Sequence, residues 1–177
     1  MILSKKIRLF ITDIDGVWTD GGMYYGENDV EYKKFSTYDS VGVLCLKKMR
    51  IPLAIITGEN SIIVKKRAEK LKIDSVHLGV KSKLSVAKRI CESFNVALNE
   101  TAYIGDSIND YFLIKEVGLS ACPSTASDII KKNVDIVLDT AGGCGVFAEF
   151  VDKYMNALGI YDEIMFKVIE DINNINQ

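Results

Sequence analysis

Short apolar runs alternate along this chain with segments whose apolar residues are spaced as on one face of a helix. The runs cover residues 7–12, 52–56, 75–78, 101–104, 119–121 and 134–138, and most are followed directly by a glycine or an aspartate. Such runs, bounded by turn-forming residues, are typical of buried strands. Helical spacing fills the gaps, as at Val41, Leu44 and Met49. The alternation predicts an α/β fold: a Rossmann-like parallel sheet flanked by helices on both faces.

Two segments depart from this alternation. Residues 17–35 place four aromatic side chains around the turn-forming residues 26–29, which predicts a projecting β-hairpin. The four that flank the turn are Trp18, Tyr24, Tyr25 and Tyr32. Residues 144–177 form a predicted helical tail, amphipathic over 160–172 and frayed over 173–177.

Length and composition indicate an ordinary globular protein. The 177 residues are 48% hydrophobic and 26% charged, which excludes disordered, collagen-like and coiled-coil classes. We therefore expect one domain over residues 1–177, large enough to fold without metals or disulfides. A net charge of −2 argues against nucleic acid or an anionic membrane as a partner.

Cysteine usage and the N-terminal segment bear on location. The four cysteines contain no C-x-x-C pair, which favours reduced thiols over a disulfide or zinc framework. Residues 1–6 lack the regions of a signal peptide, and no apolar run reaches the ~18 residues of a membrane span. We therefore expect a cytoplasmic protein.

Polar side chains stand at the carboxyl ends of the predicted strands, where open parallel sheets bind their ligands. The candidates are Asp13, Asp15, Thr57, Lys83, Asp106 and Asp110. Asp13 and Asp15 are two residues apart on an extended chain, so both carboxylates face the same side. Several carboxylates at one edge are costly without a cation, and oxygen ligands favour Mg²⁺ over zinc.

These residues resemble the motifs of the haloacid dehalogenase superfamily of phosphohydrolases. The segment DIDGVWT at residues 13–19 matches its D-x-D-G-x-x-T/V signature. Thr57, Lys83 and the segment GDSIND at residues 105–110 match its second, third and fourth motifs in order. The resemblance extends over about residues 7–139 and implies the fold of that superfamily.

The resemblance also implies a role for each motif residue. Asp13 is the nucleophile that forms an aspartyl-phosphate, and Asp15 is the general acid and base. Mg²⁺ is held by Asp13, the Asp15 backbone carbonyl and Asp106. Lys83 and Thr57 contact the phosphoryl oxygens, while Asn109 and Asp110 position the metal's waters and Lys83.

No room for a cap domain is evident between these motifs. Many members of the superfamily carry such a domain over the site, but here the first gap holds only the hairpin. Residues 58–82 suffice for one helix and one strand, so the chain is predicted to be capless. Three segments resemble those of the phosphatases of 3-deoxy-2-ulosonic acid 8-phosphates: the hairpin, residues 33–42 and residues 142–145. That resemblance implies a homotetramer in which neighbouring subunits supply the cap.

Within that group, Gly58, Glu59, Arg67 and Lys70 resemble the branch that acts on nine-carbon acids. The implied substrate is 2-keto-3-deoxy-D-glycero-D-galacto-nononate 9-phosphate or an N-acylneuraminate 9-phosphate, bound by these residues together with Asp15, Thr57, Lys83 and Asn109. The alternative substrate is 3-deoxy-D-manno-octulosonate 8-phosphate. The alternative for Arg67 and Lys70 is a solvated helix face.

Two positions depart from the family pattern. Ala148 stands where an arginine usually follows the glycine-rich loop, so another group must meet the substrate carboxylate. Ser82 stands where an aspartate often precedes the motif-three lysine, and we expect a looser setting for Lys83. Neither change touches Asp13.

Other features of the sequence allow different interpretations. A phosphoacceptor receiver module also uses an aspartate, Mg²⁺, a threonine and a lysine, but Asp15 favours turnover over a stored phosphate. A non-catalytic regulatory domain is excluded only by an assay. The segment GCGVFA at residues 143–148 mimics a dinucleotide fingerprint, but no later strand completes the unit. His77, inside an apolar run, is predicted to be structural.

Overall fold

A six-stranded parallel sheet forms the centre of the computed structural model, which describes residues 6–28 and 30–175. The strands of this sheet are β1 (Leu9–Thr12), β4 (Leu53–Ile56), β5 (Ser75–His77), β6 (Thr101–Ile104), β7 (Leu119–Cys122) and β8 (Ile136–Val137). They lie in the order β5-β4-β1-β6-β7-β8, and every pair is parallel. The predicted parallel sheet is confirmed, and each strand lies within or beside its predicted apolar run.

Helices follow the strands along the chain. They are α1 (Asp39–Met49), α2 (Ile62–Leu71), α3 (Lys83–Ser93), α4 (Tyr111–Glu116), α5 (Asp128–Lys131), α6 (Val146–Leu158) and α7 (Tyr161–Ile175). The short helices α4 and α5 were not predicted, because neither is long enough to show a helical period. Within the described part of the chain, no helix has the length and apolar character needed to cross a membrane.

Both faces of the sheet are buried, as its continuous apolar strands require. Alternate residues of β1 point to opposite faces: Phe10 joins one core cluster, while Leu9 and Ile11 join the other. The first cluster contains side chains of α1, α2, α6 and α7, and the second contains side chains of α3, α4 and α5. This sandwich fixes the strand ends that carry the polar motifs.

The hairpin is smaller than residues 17–35. Strand β2 (Tyr24–Tyr25) pairs antiparallel with β3 (Glu31–Tyr32), and the three tyrosines of this pair are 44–73% exposed. Trp18 does not belong to this exposed group, contrary to our prediction. It is fully buried, its Nε1 donates to Thr12 Oγ1 at 2.9 Å, and its ring centroid lies 5.0 Å from that of Phe147. Asp29 of the predicted turn, residues 1–5 and residues 176–177 lie outside the described residues.

The C-terminal segment begins at a glycine-rich loop that packs against the loop after β1. A Cβ on Gly142 would lie 2.0 Å from the Gly16 carbonyl oxygen, so only glycine fits there. Gly143 donates its N–H to the Val17 carbonyl at 2.8 Å. The predicted tail is two helices, since the chain turns at Gly159 between α6 and α7. The glycine loop therefore supports the loop that carries Asp13 and Asp15.

Candidate active site

Two carboxylates follow directly from the central strand β1. The backbone N–H of Asp13 donates to the Ile104 carbonyl at 3.0 Å, which extends the sheet pairing into the loop. Asp13 is 4% exposed, and Asp15 is partly exposed. Gly16 follows with φ +82°, and a Cβ there would overlap the Asp106 carboxylate at 2.0 Å. The glycine of the motif thus lets two loops meet.

Lys83, the first residue of α3, joins the carboxylates into one cluster. Its Nζ lies 2.7 Å from Asp13 Oδ2 and 2.6 Å from Asp110 Oδ1, and the residue is 4% exposed. Burial opposes the charge of Lys83, but the two carboxylates raise its pKa overall. The lysine therefore stays protonated. Ser82 pairs with Ser85 at 2.9 Å, and two carboxylates contact the Lys83 amine. Whether serine at position 82 loosens the setting of Lys83 stays a prediction.

Asp110 is saturated by hydrogen bonds. Its Oδ1 accepts from Lys83 and from the Tyr103 hydroxyl, at 2.6 and 2.5 Å. Its Oδ2 accepts from the backbone N–H groups of Asp106 and Ser107, both at 2.9 Å. The carboxylate thus orients Lys83 and holds the loop that carries Asp106. The sequence did not predict a role for Tyr103, because the position of a tyrosine inside a strand does not indicate which residue its hydroxyl contacts.

The arrangement of oxygens fits a divalent cation. Carboxylate oxygens of Asp13, Asp106 and Asp110 lie within 4.8 Å of one another. Asp106 Oδ1 and Asp15 Oδ2 are buried and have no hydrogen-bond partner among the described residues. Burial raises the pKa of Asp13 to about 7 and that of Asp106 to about 6, with Asp110 adding to both shifts. Because Asp110 is already saturated, Asp13 and Asp106 are the members of this three-carboxylate group with oxygens left for a metal.

A cleft of about 240 Å³ opens above this cluster. Besides Asp13, Asp15, Lys83 and Asp106, its walls include Gly58, Glu59 and Asn109, which are exposed, and Thr57, which is buried. Glu59 lies three residues after the end of β4 and lines the same cleft as the acidic loops. The cleft therefore offers a lysine and hydroxyl for an anion and a carboxylate for hydroxyl groups.

Arg67 and Lys70 lie outside that cleft. The Arg67 guanidinium donates to the Ser36 carbonyl at 3.1 Å and sits 5.9 Å from the Phe35 ring centroid. Lys70 is exposed in a separate depression beside Lys47. Both belong to α2, and neither is among the residues that line the cleft. Within one chain, the structure does not bring these two predicted substrate residues to the site.

Lys33, after β3, is a site residue that sequence reasoning did not single out. Its Nζ lies 2.7 Å from Asp15 Oδ1 and 3.4 Å from Glu31 Oε1. Burial opposes its charge, but the hydrogen bonds and charges of Asp15 and Glu31 raise its pKa. Two adjacent lysines in a predicted hairpin are typical of a solvent-exposed surface. No sequence pattern therefore indicates the contact between Lys33 and Asp15.

Known proteins of similar sequence belong to one family of hydrolases. The family model of haloacid dehalogenase-like hydrolases matches residues 55–150. The 3-deoxy-D-manno-octulosonate 8-phosphate phosphatase of Salmonella typhi is 35% identical over 163 residues, which cover 92% of this chain and 87% of that protein. The phosphatase of the same name from Haemophilus influenzae is 34% identical, over 88% of this chain and 86% of that protein.

Solved structures agree with these relatives. The 3-deoxy-D-manno-octulosonate 8-phosphate phosphatase of Moraxella catarrhalis, in complex with magnesium, phosphate and the sugar acid, superposes with a TM-score of 0.88. It is 30% identical, with 91% of this chain and 92% of that chain covered. The cobalt-bound enzyme of Haemophilus influenzae has a TM-score of 0.86 and 34% identity, covering 91% and 94%. Both neighbours hold a divalent metal.

Proposed function

We propose that this chain, a member of the haloacid dehalogenase-like hydrolases, hydrolyses the phosphate monoester of a 2-keto-3-deoxy sugar acid. Within those hydrolases it belongs to the 3-deoxy-D-manno-octulosonate 8-phosphate phosphatase family. One observation carries the proposal: buried Lys83 bridges Asp13 and Asp110 at the floor of a cleft that Asp15 and Asp106 also line. A nucleophile, a counter-charge and a second carboxylate are thus within one site.

Asp13 is the proposed nucleophile. A carboxylate oxygen of Asp13 attacks phosphorus in line, the bond to the sugar oxygen breaks, and an aspartyl-phosphate forms. Lys83, fixed by two carboxylates, supplies positive charge to the phosphoryl group. Asp15 donates a proton to the departing sugar oxygen and later takes one from the water that cleaves the aspartyl-phosphate.

Mg²⁺ is the proposed cofactor. Asp13, Asp106 and the Asp15 backbone carbonyl would hold it, since Asp106 Oδ1 has no other partner among the described residues. When bound, the ion supplies charge neutralisation between the phosphate and the nucleophile. Asp110 keeps the Asp106 loop in place through two backbone N–H bonds. Thr57 offers a hydroxyl at the cleft wall.

The eight-carbon acid is the favoured substrate, because the relatives described above are octulosonate 8-phosphate phosphatases. The nine-carbon preference that the sequence predicts is not supported by these relatives. It keeps one observation in its favour: Glu59 lines the cleft and can accept hydrogen bonds from a sugar's hydroxyls. The nine-carbon 9-phosphate is therefore the second candidate.

A substrate panel tests the function. With Mg²⁺, we expect phosphate release from 3-deoxy-D-manno-octulosonate 8-phosphate to exceed release from the nononate and N-acylneuraminate 9-phosphates and from p-nitrophenyl phosphate, compared as kcat/KM. Glu59→Ala should raise the KM of the preferred sugar acid and leave that of the aryl phosphate unchanged. The exposed Glu69→Ala in α2 is the matched control. If the wild-type protein releases phosphate from none of these esters, the proposal is wrong.

A homotetramer is the proposed assembly. Tyr24, Tyr25 and Tyr32 are exposed on a hairpin with two-residue strands, which is marginal alone in water. Exposed aromatic side chains at this density are typical of interfaces, and phosphoryl transfer gains from a covered site.

Sedimentation should give a particle of four 19.7 kDa chains. Replacing Tyr25 and Tyr32 by serine should dissociate it, whereas serine at exposed Phe112 in α4 should not. A fully active monomer would refute capping by neighbours.

A cytoplasmic location remains part of the proposal. Cys45, Cys91 and Cys122 are free thiols in the core. Burial raises the pKa of each of these thiols, so they stay protonated at neutral pH. Such thiols serve packing and suit a reducing compartment.

A further inference from the structure

Lys33 carries a contact that the reaction described above leaves unexplained. Its side chain is 1% exposed, although it lies just after the projecting hairpin. The amine lies 2.7 Å from Asp15 Oδ1 and 3.4 Å from Glu31 Oε1. A buried amine already paired with two carboxylates is unsuited to bind substrate directly. Its position beside the proposed acid and base therefore calls for another role.

The two oxygens of the Asp15 carboxylate are in different environments. Oδ1 accepts from Lys33 at 2.7 Å and from the Thr19 hydroxyl at 3.3 Å. Oδ2 is buried and has no hydrogen-bond partner among the described residues, and Asp15 lines the cleft. A carboxylate held by one oxygen has its rotation fixed, so the other oxygen has a defined direction.

We infer that Lys33 is a positioning residue, which fixes Asp15 through Oδ1 and leaves Oδ2 as the oxygen that exchanges protons with the sugar leaving group and with water. The inference rests on the proposed phosphatase function. In the first step the Oδ2–H proton passes to the sugar oxygen as its bond to phosphorus breaks. In the second step Oδ2 takes a proton from water as the water oxygen bonds to phosphorus. Lys33 neither gains nor loses a proton in either step.

Glu31 gives this arrangement a link to the hairpin. Glu31 lies on β3, and Lys33 is two residues further along the same segment. The lysine thus connects the first strand-end loop with the base of the hairpin. A shift of the hairpin moves the partner that fixes the acid, so the orientation of Asp15 depends on how the hairpin is seated.

The dependence of rate on the leaving group tests the inference. An alkyl leaving group needs a proton, whereas p-nitrophenolate departs without one. Lys33→Met keeps the length of the buried stem and removes the amine. We expect its kcat/KM for 3-deoxy-D-manno-octulosonate 8-phosphate, which reports the step that expels the leaving group, to fall about 100-fold, the lower range of a general acid's contribution, while kcat/KM for p-nitrophenyl phosphate changes little. Phenyl phosphate, with the more basic phenolate, should lie between the two.

Two variants separate positioning from a structural role. Lys33→Arg can still donate to Asp15 Oδ1 and should recover part of the loss on the sugar phosphate. Lys34→Met removes the exposed neighbouring charge and should match the wild type with all three esters. Equal losses of kcat/KM in Lys33→Met on every ester, or no loss on any, would overturn the inference while leaving the proposed function intact. A wild-type protein inactive on all esters would refute the function itself and this inference with it.

Discussion

Replacing Asp13 by asparagine is expected to abolish phosphate release. The amide nitrogen and oxygen of asparagine cannot form the acyl-phosphate, and removal of a nucleophile costs about 10⁵-fold or more in kcat. The substitution keeps the size of the side chain, and it removes one charge from a crowded acidic cluster, so the fold should be retained. Phosphate release from 3-deoxy-D-manno-octulosonate 8-phosphate with Mg²⁺ measures the effect.

Asp20→Asn is the matched control for this variant. Asp20 belongs to the same loop but is exposed, and its carboxylate accepts from Gly22 N–H and from the Tyr24 hydroxyl. We expect Asp20→Asn to keep most of the wild-type rate. If Asp13→Asn, folded as judged by thermal unfolding, keeps more than a small fraction of that rate, the covalent mechanism assigned to Asp13 is wrong.

The sheet could be predicted because each strand carries its own signal. Strands buried on both faces are continuous apolar runs, and β1, β4 and β6 are short enough to be distinguished from helices by length alone. The polar residues after these strands then had to meet at one edge. In a parallel sheet the carboxyl ends of neighbouring strands lie at the same edge, so the place where the motifs converge could be predicted.

Trp18 shows where local pattern fails. The nearby tyrosines made it look like part of an exposed aromatic hairpin, but its burial depends on Phe147 of α6 and on Thr12 of β1. Those contacts join segments far apart in the chain. An aromatic residue's neighbours in sequence do not reveal whether a distant helix covers it.

The site also contains residues that the sequence predicts and residues whose roles depend on tertiary contacts. Asp13, Lys83 and Asp106 stand in spaced motifs, so their convergence could be predicted from the sequence. Lys33 and Tyr103 act through hydrogen bonds to those carboxylates, and such contacts exist only after the loops have folded. Lys70 shares a helix with Arg67, but its exposed position beside Lys47 depends on how α2 packs.

Magnesium should stabilise the folded protein measurably, and this effect should vanish in Asp106→Asn. An ion that binds only the native state stabilises it by about 2.7 kcal/mol at 100 times its Kd, which is on the order of 5–10 °C in Tm for a chain of this size. Asp106 Oδ1 is a buried oxygen without another partner among the described residues, so its loss removes a ligand and no internal hydrogen bond from that atom.

Without the metal, Asp106→Asn should be more stable than the wild type. Asp106 lies in a cluster with Asp13 and Asp110, and burial together with Asp110 raises its pKa to about 6. A carboxylate whose pKa is raised in the folded state destabilises that state once pH rises above the unfolded value, so at pH 8 the neutral amide relieves repulsion. Thermal unfolding of wild type, Asp106→Asn and the exposed control Asp128→Asn, each in EDTA and in Mg²⁺, tests both signs. The metal assignment fails if Asp106→Asn gains as much from Mg²⁺ as the control does, because the ion would then be held without Asp106.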